Sequence, residues 1–137
     1  MEYALGEVTD LGKMFFGERE TMSDDFPFKI ETLLEQCGGN REVGGVILDE
    51  FIIQVAADIK ELESCINSGD LVQVGKVGHR LKGTAGVLGA SKLHSLCIAL
   101  EAAGKEGNAE EAASVYHKLK AETDLCVAAV PDARSRL

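Results

Sequence analysis

Proline is nearly absent from this chain, and its two occurrences, Pro27 and Pro131, bracket a long stretch of helical apolar periodicity without β-strand alternation. A proline in a helix interior removes a backbone donor and clashes with the preceding turn. The stretch between the two is therefore free to form long helices, and glycine-containing breaks decide where they stop. "CGGN" at 37–40 ends one segment and offers Asn40 as the N-cap of the next. "NSGD" at 67–70 repeats the device with Asp70 as cap and Gln73 in capping-box position. "GAS" at 89–91 supplies Gly89 as the stop and Ser91 as the following cap, and "GNAEE" at 107–111 sets Asn108 opposite Glu111. These breaks predict helices over 28–37, 41–67, 71–88, 92–106 and 109–128.

Short connections make successive helices antiparallel neighbours, so the expected fold class is all-α: an antiparallel four-helix bundle with the short 28–37 helix across one end. At 137 residues the chain suits one domain. The expected division is an N-terminal extension over 1–25, a bundle over 26–130 and a tail over 131–137. Helix 41–67 carries a stripe at Val43, Ile47, Phe51, Val55, Ile59, Leu62 and Ile66. It also bears Val46, Leu48, Ile52 and Ile53 on other sides, which predicts cover on more than one flank. In the extension, Ala4, Val8, Leu11 and Phe15 fall on one helical stripe, which predicts an accessory helix despite Gly6, Gly12 and Gly17.

Fourteen Lys and Arg against 23 Asp and Glu leave a net charge of −9. That charge repels phosphate backbones and anionic lipid, so neither nucleic acid nor a membrane is an expected partner. No apolar run is long enough to span a bilayer, and "MEYALGEVTD" has neither the basic start nor the apolar centre of a signal peptide. A cytoplasmic protein is expected. Cys37, Cys65, Cys97 and Cys126 are widely spaced, form no C-x-x-C and fall among apolar helical positions. That pattern suits buried thiols in a reducing compartment.

The unusual stretch is "GHRLKGTAGVLGA" at 78–90, where a histidine and a lysine three residues apart are followed by Gly83, Gly86 and Gly89. Each interior glycine costs a helix about 1 kcal/mol relative to alanine. At about 100° per residue, Leu71, Val74, Val77, Gly78, Leu81, Ala85 and Leu88 form the buried side, and His79 points outward. Val72, Gly75, Lys76, Lys82, Gly83, Gly86 and Ala90 fall around His79 on the same wheel. Glycine in a bundle helix usually serves close helix packing, but glycines on the outward face instead clear space beside the imidazole for another protein's surface.

"HRLKGTAGVLGA" resembles the signature of histidine-containing phosphotransfer domains, a His followed by x, a hydrophobic residue, Lys, Gly, small residues and a later Gly. The resemblance extends to "LLEQCGGNREVGGVILDEF" upstream and covers roughly residues 26–128. It implies a four-helix bundle that carries a phosphoryl group on one histidine, received from and passed to aspartates of receiver domains. His79 would then be the phosphorylated nucleophile, Lys82 the cation beside the phosphoryl oxygens and Gly83 the residue that keeps access open. Receiver docking would use Val72, Gly75, Lys76, Gly86 and Ala90, together with Glu101 and Lys105 from the next helix. Glu101 departs from the uncharged polar residue that the resemblance implies, and a carboxylate there would repel the phosphoryl group. The protein would be a stoichiometric carrier and a monomer, not an enzyme. It would need no cofactor, the Mg²⁺ belonging to the receiver. Met1 and the residues before the bundle are expected of a free-standing protein.

A neutral imidazole, with a free-side-chain pKa near 6.5, is a competent nucleophile without a triad. Three competing readings stand beside this one. A metal-binding bundle is disfavoured because His79, His94 and His117 lie on different helices, with no Glu-x-x-His pair. His94 and His117 read as solvated surface residues. A helical adaptor that binds receiver or kinase domains without phosphotransfer would have no use for His79, Lys82 and Gly83 together. An enzyme with its own small-molecule site would need a nucleophile–base pair or a phosphate-cradling loop, and neither is visible in the sequence.

Overall fold

A computed structural model describes residues 26–137 as five helices: α1 (Ile30–Gln36), α2 (Arg41–Ser68), α3 (Leu71–Leu88), α4 (Ser91–Glu106) and α5 (Ala109–Ser135). The accessory helix expected within 1–25 lies outside the described residues. Helices α2 to α5 form the antiparallel bundle, each packed on its chain neighbours, with α5 returning against α2. Short α1 closes one end, where Lys29 N donates to Leu88 O and Gly89 O at the C-terminus of α3. Phe28 is buried there, edge-on to Phe51 with ring centroids 6.0 Å apart.

The three bundle turns share one construction. A left-handed glycine ends the helix (Gly69, Gly89 and Gly107, with φ of 78°, 65° and 69°), and the next residue is the N-cap of another. Asp70 and Asn108 cap as expected, accepting from Gln73 N and Glu111 N, and Asn40 accepts from Val43 N. Two details differ. Gln73 does not complete a capping box, because its side chain donates to Glu61 on α2. Ser91 is not a cap: it is the first residue of α4, and the N-cap is Ala90, which makes no side-chain bond. Gly89 and Ala90 lie under α1, with Lys29 and Thr32 against Gly89, so a small apolar residue fits at Ala90 where a polar cap would be buried.

The core is drawn from all five helices, with Leu33, Leu48, Leu81, Leu93 and Leu119 fully buried. On α2 the buried line runs through Leu48, Phe51, Val55, Asp58, Leu62 and Cys65, rotated from the expected stripe. A helix apolar on several sides leaves its rotation ambiguous, and the true line passes through a carboxylate. Of the residues expected on the other sides of α2, Leu48 is buried, whereas Val46 and Ile53 are 56% and 70% exposed and no described residue covers them. Cys65, Cys97 and Cys126 are buried, Cys37 is half-buried and all four are unbonded. Burial pushes the Cys97 and Cys126 thiols up to about 12, which makes them inert as nucleophiles. No helix among the described residues is long and apolar enough to cross a membrane.

Residues 131–137 are not a separate tail. Helix α5 runs through Pro131 to Ser135, carried by buried Val130 and Ala133. Arg134 pairs with Asp49, Arg136 lies over the Phe26 ring at 3.7 Å, and Leu137 packs on Gly44. These contacts offset the hydrogen bond that proline cannot make.

The tightest contact in the bundle is between α3 and α4. A Cβ at Gly104 would stand 2.6 Å from Gly75 N and 2.9 Å from Leu71 O, and one at Gly78 would meet Glu101 N at 3.1 Å. Glycine permits this approach because it has no side chain. Gly104→Ala is therefore expected to destabilise the protein by about 1–3 kcal/mol through overpacking, although alanine is the better helix former by about 1 kcal/mol. Urea unfolding would measure this, and unchanged or increased stability would mean that the two backbones stand further apart.

Candidate functional site

The close approach of α3 and α4 brings Glu101 beside His79 and Lys82. The backbone of Glu101 lies against Gly78, while its side chain rises between the helices, 10% exposed. His79, one residue after Gly78, stands 69% exposed on the outward ridge. Its Nδ1 lies 3.0 Å from Glu101 Oε2, and Lys82 Nζ donates to Glu101 Oε1 at 2.8 Å. From the next turn of α4, Lys105 Nζ reaches Glu101 Oε2 at 3.3 Å. One carboxylate thus holds the imidazole and two ammonium groups.

The charge of the carboxylate selects one tautomer of the neutral imidazole. Glu101 is held at about 2, well below its ordinary 4.5: the Lys82 hydrogen bond lowers it most, burial opposes, and His79 and Lys105 lower it further. Ionised, it can only accept, so Nδ1 of His79 must carry the proton it donates. In the neutral ring that leaves the Nε2 lone pair free, on the exposed edge. The carboxylate with its two lysines carries a net positive charge. Lys76, exposed one turn before His79, adds another. The expected repulsion of a phosphoryl group by Glu101 is therefore outweighed by the cations that the carboxylate gathers.

Around this cluster an open groove is lined by Val72, Gly75, Lys76, His79, Glu101, Gly104 and Lys105. Its wall is apolar where Val72 stands 69% exposed. Beyond the imidazole the ridge is bare: a Cβ at Gly83 would meet nothing within 4 Å, and one at Gly86 only the ring of His94 at 3.9 Å.

The sequence-derived surface divides in two. Val72, Lys76, Gly83, Gly86 and Lys105 are exposed beside His79, whereas Gly75, Ala90 and Glu101 are buried. Gly75 sits at the α3–α4 crossing and contributes only the floor of the groove. Ala90 is 1% exposed in the α3–α4 turn beneath α1 and is no part of a docking face. Helical-wheel angles ignore the neighbouring helix, which crosses α3 nearer to His79 than the width of the apolar stripe suggests. His94 is half-buried against Gly86, not freely solvated, while His117 is exposed. No metal-holding group of His, Cys, Asp and Glu is found among the described residues. The resemblance placed Glu101 near His79 across 22 residues of sequence, but as a repelling charge; that it bonds Nδ1 of His79 and gathers the lysines was not legible. Gly104, in "EAAGKEG", was legible only as a helix-weakening glycine.

Comparison with known proteins agrees with this fold. A family model described as the Hpt domain matches residues 46–131. Among solved structures, the bundle is similar to the crystal structure of histidine-containing phosphotransfer protein B (HptB) from Pseudomonas aeruginosa PAO1. The TM-score is 0.74 at 20% identity, with 81% of this chain and 96% of that chain covered. A search of curated proteins gives no match. The family match spans most of the chain and takes in His79, Lys82 and Glu101: the chain belongs to the Hpt domain family, the histidine phosphocarriers of phosphorelays.

Proposed function

We propose that His79 is the residue that carries the phosphoryl group, accepting it from a receiver-domain aspartate and passing it to another. The observation that supports this most is the hydrogen bond between His79 Nδ1 and the ionised Glu101, which leaves Nε2 as an exposed nucleophile. In the forward step the Nε2 lone pair attacks phosphorus in line, the N–P bond forms, and the P–O bond to aspartate breaks to release its carboxylate. No proton needs to move. The ring becomes a phosphoimidazolium that keeps its Nδ1 proton, and Glu101 balances the new positive charge. Lys82, 30% exposed, stands closest to stabilise the phosphoryl oxygens, with Lys105 and Lys76 beside it.

The receiver would dock over Val72, Lys76, Gly86 and Lys105, with Gly83 keeping the approach to the imidazole open. The chain acts as a stoichiometric carrier, because a second protein must remove the phosphoryl group before His79 can react again, and it works as a monomer in the cytoplasm. Cationic groups around His79 come from lysines, and the Mg²⁺ of the reaction is assigned to the receiver.

His79→Gln is expected to keep the helical circular dichroism of the parent and to lose acid-labile, base-stable label from a phosphorylated receiver. Label on the variant would move the site to His94 or His117. Gly83→Gln places a side chain beside the imidazole at a position where nothing is displaced. It is expected to melt no lower than the parent, gaining up to about 1 kcal/mol of helix propensity, yet to transfer phosphate much more slowly. Unfolding, or undiminished transfer, would remove Gly83 from the docking face.

Glu101 gives a pH test. Its folded pKa is depressed, so the stability it contributes is fully present above about 4.5 and is lost as pH falls through about 2. Carboxyl ¹³C shifts should place its midpoint near 2. In Glu101→Gln, imidazole ¹⁵N shifts should show a reduced Nδ1–H tautomer at neutral pH and slower phosphoryl acceptance. A midpoint in the ordinary carboxylate range would show that the lysine clamp does not form.

A further inference from the structure

On the side of α3 away from Glu101 lies a second polar cluster. Asp58 on α2 is fully buried, in line with the core residues Val55 and Leu62. Its Oδ1 accepts from Arg80 Nη2 at 2.6 Å, Arg80 Nε at 3.1 Å and Gln54 Nε2 at 3.0 Å. Arg80 Nη2 also donates to Glu61 Oε1 at 2.9 Å, and Glu61 Oε2 accepts from Gln73 Nε2 at 2.7 Å. Asp58 Oδ2 is buried without a partner. A buried ion pair with an unsatisfied oxygen is a poor source of stability, since apolar residues of similar volume often serve equally well or better. The neighbours of Asp58 along α2 are such residues.

Arg80 follows His79 directly, about 100° around the helix. At Gly75 and Gly78, the positions nearest His79, α3 lies directly on the backbone of α4, with no side chain there to interlock against a small rotation. Rotating α3 by about 20° would move a side-chain tip at the ~5–6 Å helix radius by about 2 Å. That displacement would open the 3.0 Å bond from His79 to Glu101.

We infer that Asp58 and Arg80 are a positioning pair for His79, holding α3 from the α2 side while Glu101 holds it from α4, so that Nδ1 stays on the carboxylate and Nε2 faces outward. Neither residue touches the reacting atoms. Arg80 suits the role because its planar fork puts two nitrogens on one oxygen and fixes direction, which a flexible ammonium does not. The inference rests on His79 being the acceptor. Its structural half, the orientation of the ring, is measurable without any phosphotransfer.

The test uses the full chain and the double variant Asp58→Leu with Arg80→Met, which replaces the pair by apolar side chains and leaves no buried orphan charge, since Glu61 is partly exposed and keeps its bond from Gln73. Three quantities are read: the melting temperature, the His79 tautomer from imidazole ¹⁵N shifts, and the initial rate of phosphorylation by phosphoramidate. The double variant is expected to melt at or above the parent, to lose much of its Nδ1–H tautomer, and to be phosphorylated about ten- to a hundredfold more slowly, the scale of an ångström-sized misplacement. Parent-like tautomer and rate in the folded double variant would overturn the inference. Should that variant not fold, Arg80→Lys keeps the charge but gives up the two-nitrogen grip: a reduced Nδ1–H population supports positioning, and an unchanged one refutes it. A parent that phosphoramidate does not label on His79 would sink the phosphocarrier reading while the tautomer comparison still decides the positioning one.

Discussion

The contact between α3 and α4 at Gly75, Gly78 and Gly104 is the constraint on which the site depends. A side chain as small as alanine at Gly104 would meet the α3 backbone and push the helices apart, and it is their close approach that lets Glu101 reach His79 and Lys82 together. Two kinds of glycine therefore do opposite things on one helix. Gly75 and Gly78 bring a neighbouring backbone in, and Gly83 and Gly86 leave the surface empty. The propensity lost at all four is offset by burial in the first case and by access in the second.

Once Glu101 is in place, its charge organises everything around it. A neutral amide there could accept from one lysine, but it would not oblige Nδ1 to be the protonated nitrogen, because an amide can donate as well as accept. The carboxylate removes that ambiguity, and it does so in a shielded position where the interaction is screened less than at an open surface. Lys82 and Lys105 are needed in turn, since a carboxylate this little exposed would otherwise be driven towards its neutral form.

Much of this architecture was legible in the sequence because helix breaks are local. Asn40, Asp70 and Asn108 signal their caps within four residues, and the left-handed glycines at 69, 89 and 107 are what a helix end requires. The outward face of His79 followed from periodicity alone. Failures arose where tertiary contacts override local signals. Ser91 lost its capping role because α1 covers the turn, and α5 passed through Pro131 because Val130, Ala133 and Leu137 had surfaces to bury. Asp58 was illegible, and the role of Glu101 was misjudged, for a common reason: a buried carboxylate reads as a break in an apolar stripe or as a repelling charge until the cations that satisfy it are brought into view.

The acidity of the chain and the basicity of its site are two parts of one recognition problem. A net charge of −9 disfavours polyanions at long range, whereas Lys76, Lys82 and Lys105 make a small positive surface directly around His79. A partner whose reactive group is an acidic phosphoaspartate pocket meets that surface at contact distance, where a few ångströms decide the energy. At longer range, screening over about 8–10 Å at physiological ionic strength weakens the repulsion of the distant acidic residues. Local cations on an acidic body thus place selectivity in the few side chains that flank the imidazole.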